Sequence, residues 1–413
     1  MIRFTVYILF LSNVSLAQIS NDSTSTNNLT ENISDSSYYT VEEFEKNLLE
    51  LYAKLYLFED KNNKDDFSII NEPLLTDSLI KSRLNALNHQ TPFDVSYNQA
   101  TLSAVKLYIN KRKYLISKML GMAQFYFPLF EQELIILNLP VELKYLPIVE
   151  SALNPSAVSR VGAVGLWQFM PKTAKMMGLN ISSYKDERRD PLLSTKHACL
   201  YLKHLYTIYH DWSLALAAYN AGPGNVNKAI RRSGGKKSYW EVRSFLPKET
   251  QNYVPSFIAV MYMMEYAEMH QIEPKKPDFL HFEIDTIQIN ERIDLRILEK
   301  WISYDLEKIK FLNPMYHNNI VAASNNNPIA LPIFLIGDFI QLKDSIVKYS
   351  SIELSSENFN TNEANESYYI IKKGDTIWDI AQKIEGVSVA DIKKLNKDLD
   401  VHHLKTGSKI IIK

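Results

Sequence analysis

A single cysteine, Cys199, is all the thiol chemistry that 413 residues offer. No intrachain disulfide can form, and neither a cysteine-based zinc site nor an iron–sulfur centre can be built. Cys199 falls in an apolar helical stretch, Thr195 to Tyr209, and reads as a small buried hydrophobe rather than a reactive thiol. Charge of one sign is missing too: 46 Lys and Arg against 47 Asp and Glu leave a formal net charge of −1. That balance provides no electrostatic footprint for nucleic acid and no polybasic face for a membrane surface. Long apolar runs are absent. Phe4 to Leu11 is far short of the ~20 residues that span a bilayer, and the apolar run from Val254 to Met264 stops at Glu265. His197, His204 and His210 share one predicted helix, but their spacings miss the i,i+4 pairing of a helical zinc site. No metal and no cofactor are expected.

What is present is ordinary globular material, 46% hydrophobic and 23% charged, enough for two to four domains. Met1-Ile2-Arg3, the short apolar run and the exit Ser15-Leu16-Ala17 have the layout of a secretory signal peptide over 1–17. The expected location is therefore exported, in the periplasm or cell envelope, peripheral at most to the outer membrane. No cysteine follows the exit to carry a lipid. Residues 18–38, rich in Asn, Ser and Thr, read as a disordered leader. Helical spacing of apolar residues runs through 39–126 and again through 127–270. The pattern then changes. Phe282 to Ile289 and Ile329 to Leu335 predict strands around two short helices within Leu295 to Leu312, a βααβ unit over 280–340. A polar linker is expected over 341–366. A second unit of the same order, strand–helix–helix–strand, closes the chain over 367–413, and the earlier unit reads as a weaker copy of it.

Chemistry concentrates in three runs. The first is Leu146-Pro147-Ile148-Val149-Glu150-Ser151-Ala152-Leu153-Asn154-Pro155. The second is Gly165-Leu166-Trp167-Gln168-Phe169-Met170-Pro171. The third is Ala217-Ala218-Tyr219-Asn220-Ala221-Gly222-Pro223-Gly224. A carboxyl, an amide and a Tyr-Asn pair, each beside Gly or Pro punctuation, suit acid/base cleavage of a glycosidic bond. The acid must stay neutral until it protonates the leaving oxygen, and apolar neighbours such as those preceding Glu150 raise a carboxyl pKa for that purpose. A partner carboxylate is hard to find. Glu142 lies eight residues back, about 12 Å along a helix, beyond the ~5–5.5 Å or ~6.5–9.5 Å separations of two-carboxylate glycosidases. Asp186, Glu187 and Asp190 sit in a charged loop that reads as local ion pairs. One carboxyl suffices if the substrate supplies its own nucleophile, through an N-acetyl group or a held internal hydroxyl. Gln168, Tyr219, Asn220 and Tyr253 are candidates to line the cleft. Met170 divides evenly between cleft and packing. Trp167 and Phe169 read as core.

These motifs resemble the lytic murein transglycosylases related to the soluble lytic enzymes, specifically the membrane-bound type D branch. The resemblance spans about Glu142 to Ala259. It implies a mainly α chain with a goose-type-lysozyme-like helical catalytic domain, and a reaction that cuts the β-1,4 MurNAc–GlcNAc bond to leave 1,6-anhydro-MurNAc ends without a cofactor. Its catalytic acid/base falls on Glu150, and its cleft positions fall on Gln168, Met170, Tyr219, Asn220 and Tyr253, with Ser151 beside the acid. The tail, through Gly374-Asp375-Thr376-Ile377-Trp378-Asp379-Ile380-Ala381 and Asn396, resembles a LysM module, a small α+β unit that binds N-acetylglucosamine chains. Gly374, Asp375, Thr376 and Ile377 are its implied glycan contacts. The 280–340 unit resembles a degenerate LysM repeat without the Gly-Asp-Thr turn. The implied partner is a peptidoglycan glycan strand, met by a monomer. Two other readings stay open: a lysozyme-type muramidase that uses water, and a non-catalytic cell-wall-binding scaffold.

Overall fold

The computed structural model of the chain describes residues 76–325, 327–360, 368–372, 375–377, 380–381, 389–396, 404 and 406–412. The expected signal peptide, the leader, the first part of the 39–126 helical region and Gly374 lie outside the described residues.

Helix α1 (Asp77–Asn88) begins where the Thr76 side chain accepts from the Leu79 amide, and α2 (Gln99–Lys111) where Asn98 accepts from Ala100 and Thr101. Each cap satisfies backbone donors that the first helical turn leaves unpaired. The long α3 (Lys113–Ile136) leads through a 3₁₀ turn (Val141–Tyr145) into the short α4 (Leu146–Ser151). Pro171 opens α5 (Pro171–Met177), and Gly178 ends it in the left-handed region, both as their residue types predict. Asp190 caps α6 (Pro191–Tyr209), and Asp211 caps α7 (Trp212–Ala221). Helices α8 (Pro223–Arg232), α9 (Tyr239–Val242) and α10 (Lys248–Glu265) complete the helical part. Asn225 does not cap α8 as its position after Gly224 suggests. Proline starts that helix two residues earlier, and the Asn225 side chain instead donates to the Ala221 carbonyl.

Helix α10 is the axis of the core. Tyr253, Val254 and every residue from Phe257 to Met263 are at most 1% exposed. A helix apolar on all sides must be wrapped by others, and α2, α4 and α7 pack against it. The run from Val254 to Met264 is therefore interior to the protein. Among the described residues no helix is long and apolar enough to cross a membrane.

The 280–340 unit forms as βααβ. Strand β1 (Ile284–Ile289) pairs antiparallel with β4 (Asn327–Pro332), Ile287 opposite Ile329. Between them lie β2 (Ile293–Asp294), α11 (Leu295–Ile302), α12 (Leu306–Leu312) and β3 (Ile320–Val321). The expected second strand stops at Pro332, where α13 (Ile333–Asn360) begins. This helix corrects the linker expected over 341–366 as far as Asn360. Buried Phe339, Ile346 and Ser350 tie it to the unit, the Ser350 hydroxyl accepting from the Asp294 amide. In the tail, β5 (Tyr368–Ile370) pairs antiparallel with β6 (Lys409–Ile411) beside α14 (Val389–Leu395). Most of the first helix expected there lies outside the described residues.

The two units share a side-chain clamp. Asn396 donates to the Ile392 and Ile411 carbonyls and accepts from the Ile411 amide. Asn313 does the same with Ile309, Ala330 and the Ala330 amide. Each Asn follows a helix and holds the closing strand. The repeat read from hydrophobic pattern alone therefore extends to a hydrogen-bond device.

Candidate active site

Glu150 is the penultimate residue of α4. The helix ends in a left-handed turn. Ala152 is left-handed, its amide bonds the Ile148 carbonyl, and the Leu153 amide bonds the Pro147 carbonyl. Glycine usually takes that turn; here Ala152 and Leu153 both do, with φ of 57° and 61°. Each costs about 1 kcal/mol or more of backbone strain, and both side chains are fully buried, which holds the turn in place. Asn154 then accepts from the Ser156 amide as the chain turns away.

Around the carboxyl stand α10 and α7. The Tyr253 hydroxyl donates a hydrogen bond to Glu150 Oε1. The residue as a whole is half-buried, but protein packs closely about its carboxyl. Burial pushes its pKa from 4.5 up to about 8. The Tyr253 hydrogen bond opposes the rise, and the nearby Glu249 carboxylate adds to it. Burial and then the Glu150 charge push the Tyr253 and Tyr219 hydroxyls well above their ordinary range, so both remain neutral donors. With Oε1 engaged by Tyr253, Oε2 is the oxygen from which Glu150 can offer its proton.

The loop between α4 and α5 forms a wall beside α7, to which Tyr219 ties it. Val164 bridges both Val158 and Phe169, making a tight hairpin-like fold. Gly165 sits at φ +89°, and a Cβ there would meet the Arg188 carbonyl oxygen at 1.9 Å. Only glycine fits this approach. Gln168 is also left-handed, at φ 48°, and its Nε2 donates to the Gly165 carbonyl at 2.9 Å and the Ala157 carbonyl at 3.3 Å. Its amide hydrogens are thus spent within the loop, and its carbonyl oxygen is left to accept. Met170 is 40% exposed. Trp167 is fully buried, as expected, its indole donating to Thr195 Oγ1. The Trp167 carbonyl accepts from the Tyr219 hydroxyl at 2.7 Å.

Glu150, Tyr253 and Tyr219 are therefore linked by contact or by charge, while Gln168 joins them through the Trp167 segment. Three sequence expectations change. Ser151 is fully buried. Its hydroxyl lies 3.0 Å from the Pro147 carbonyl and 2.9 Å from the Leu166 carbonyl, so it ties α4 to the loop and cannot touch a sugar. Ser151→Ala is expected to cost about 1–2 kcal/mol, because it strands the buried Leu166 carbonyl. Substrate KM should stay unchanged, as read by thermal unfolding beside steady-state kinetics. Asn220, a candidate for the cleft lining, is engaged by α10 instead. It accepts from Thr250 Oγ1 at 2.8 Å and hydrogen-bonds Glu249, clamping the first turn of α10. In the tail, Ile377 is 5% exposed and packs with Ile371, Ile380, Ile392 and Ile410, so it is core and not a glycan contact. Asp375 accepts from the Tyr369 hydroxyl and the Lys372 amide, closing its turn, whereas Thr376 stays exposed.

Sequence reasoning missed Glu249. Burial raises its pKa, and the Asn220 hydrogen bond lowers it. It lies 99 positions after Glu150, between Lys248 and Thr250, and only the packing of α10 brings it within electrostatic reach. Arg188 was read only as part of an ion-paired loop. It is indeed paired with Asp186 at 2.7 Å, and its Nη1 also reaches the Gly162 and Phe169 carbonyls at 3.1 and 3.2 Å.

Three family profiles match. Residues 131–241 fit the Transglycosylase SLT domain, 283–348 the LysM-like domain of the lytic transglycosylase MltD, and 369–413 the LysM domain. The membrane-bound lytic murein transglycosylase D of Escherichia coli K12 is 30% identical over 280 residues, 67% of this chain and 60% of that protein. The soluble lytic murein transglycosylase of the same organism is 35% identical over 116 residues, 27% of this chain and 18% of that protein. Among solved structures, the 70 kDa soluble lytic transglycosylase of E. coli aligns over 48% of this chain and 32% of that one, at 23% identity and a TM-score of 0.31. The chain thus spans about 60% of the length of the type D relative. The chain carries a Transglycosylase SLT domain, a LysM-like domain of the MltD type and a LysM domain, in that order, and is similar to the lytic murein transglycosylases.

Proposed function

We propose that the chain is a peptidoglycan lytic transglycosylase that cuts the β-1,4 MurNAc–GlcNAc bond, with Glu150 as its sole acid/base. The observation that carries this reading is a cleft carboxyl held neutral to about pH 8 and aligned by a tyrosine. In the first step the Oε2 proton passes to the glycosidic oxygen, and the bond from that oxygen to the MurNAc anomeric carbon breaks. The acetamido oxygen of the same sugar stabilises the cationic carbon. In the second step the Glu150 carboxylate takes the proton of the MurNAc 6-hydroxyl while that oxygen bonds the anomeric carbon. Tyr253 strengthens its hydrogen bond as Oε1 gains charge, so it favours the first step. In this reading the Gln168 carbonyl accepts from the acetamido N–H, and Met170 offers an apolar edge to the sugar ring. Tyr219 supports the wall through the Trp167 carbonyl, and Asn220 holds the first turn of α10 through Glu249 and Thr250.

We assign 127–270 to catalysis and 367–413 to glycan retention, where a bound tail raises the local concentration of the polymer. Asp375 and Thr376 remain the tail's proposed contacts. The amino-terminal signal-like run supports export to the periplasm. Digestion of purified sacculi tests the reaction. Released muropeptides lighter by one water and lacking a reducing end are expected, and reducing-end products would indicate a muramidase. A second test uses Tyr253→Phe. The lost hydrogen bond had lowered the Glu150 pKa, so the alkaline limb of the pH–rate profile should move above the wild-type position, with turnover down roughly tenfold.

A further inference from the structure

We propose that the 283–348 module is a fixed brace of the catalytic domain, setting the cleft wall at Gln168, and that Arg188 is the positioning residue through which it acts. The inference rests on the catalytic reading above. Two independent routes connect the module to the wall.

The first is polar. The Met315–His317 segment of the module lies along the 184–186 loop as a strand would. Lys185 bridges Tyr316, the Asp186 amide donates to the Met315 carbonyl at 2.9 Å, and the His317 amide donates to the Tyr184 carbonyl at 2.9 Å. This pairing fixes the backbone of Asp186, whose carboxylate grips the Arg188 guanidinium through both oxygens, at 2.9 and 2.7 Å. Both side chains are almost fully buried. Arg188 then holds the carbonyls of Gly162 and Phe169, one on each side of the hairpin that carries Gln168. Gly165 packs its backbone directly on the Arg188 carbonyl. A planar fork that meets one carboxylate and two carbonyls leaves little freedom for the wall.

The second route is aromatic. Phe311, on α12 of the module, stacks on Phe279 and contacts Phe125 and Tyr126 of α3. Tyr126 stacks on Phe130, and Phe130 meets Trp167 edge-on at 5.4 Å. Trp167 presents the carbonyl that Tyr219 binds. The module therefore reaches the Trp167–Phe169 segment by both a polar and an aromatic route. A freely tethered binding module would need neither route.

The test compares full-length Phe311→Ala, His317→Pro and Arg188→Lys with Phe334→Ser, which alters a residue 72% exposed on the module. Two readouts are used, turnover of a short soluble glycan fragment and hydrogen exchange of the Val164, Gln168 and Phe169 amides. A brace predicts that the first three variants lose about tenfold or more in kcat on the short fragment with little change in KM, and that the three amides exchange faster. Phe334→Ser should match wild type in both. If wild type turns over the fragment while all three variants keep wild-type kcat and wild-type exchange, the brace is wrong. If Phe334→Ser slows turnover on the short fragment as much as the other variants do, the module acts by other means and the brace is again wrong. Faster exchange in the variants of a wild type that cuts no glycan would uphold the brace and sink the catalytic reading instead. Should one variant fail to fold, the remaining two still decide.

Discussion

Glu150→Gln is expected to abolish cleavage of purified sacculi, lowering turnover by roughly 10³-fold, while making the folded protein more stable above neutral pH. The two effects share a cause. Burial lifts the Glu150 pKa from 4.5 to about 8 in the folded chain, whereas in the unfolded chain the carboxyl ionises at its ordinary value. Between those values the folded protein keeps a proton that the unfolded chain releases. The stability tied to this group is therefore fully present below about pH 4.5 and drains away as pH rises toward about 8. Glutamine cannot ionise and escapes that loss, yet it still accepts from Tyr253. At pH 9 the variant should be more stable by an amount on the order of 2–4 kcal/mol, and near pH 4 the two proteins should unfold alike. Urea denaturation at the two pH values measures the difference. An inactive variant that is also less stable at pH 9 would mean that Glu150 is a structural carboxylate.

Gly165→Ala should be the most damaging single methyl in the catalytic domain. Its φ of +89° is open to glycine alone, and the added carbon would stand 1.9 Å from a backbone oxygen that cannot swing aside. A loss of about 3 kcal/mol or more is expected, together with a loss of activity, because the Gly165 carbonyl is the main acceptor for the Gln168 amide. Thermal unfolding and sacculus digestion check both. The same change at Gly224, where a Cβ meets nothing within 4 Å, should be nearly silent for packing. If Gly165→Ala unfolds like wild type, the wall is looser than its hydrogen bonds imply.

Much of this was legible in the sequence because the signals are local. Pro171 and Gly178 bracket their helix by backbone chemistry, and the alternation around Ile287 and Ile329 marks a strand pair. The apolar run before Glu150 announces a buried carboxyl. What stayed hidden depends on partners distant along the chain. Ser151 follows the acid and looks available, but the Leu166 carbonyl claims its hydroxyl. Ala152 and Leu153 carry no glycine to advertise a left-handed turn. Glu249 enters the site only because α10 threads the core. The helix over Ile333–Asn360 was obscured by the polar composition of its second half, which imitates a linker. The charged loop at 186–191 was recognised as ion-paired, but its start was not recognised as the seat of a neighbouring module, since no pattern in either segment names the other.

The account stands or falls on the protonation of one carboxyl, and the pH dependence of kcat/KM on a soluble glycan fragment reads it directly. A plateau through neutral pH that falls tenfold per pH unit above about 8, and disappears in Glu150→Gln, is the predicted result. Activity that already declines as pH rises through 4.5, the ordinary value for this carboxyl, would contradict it.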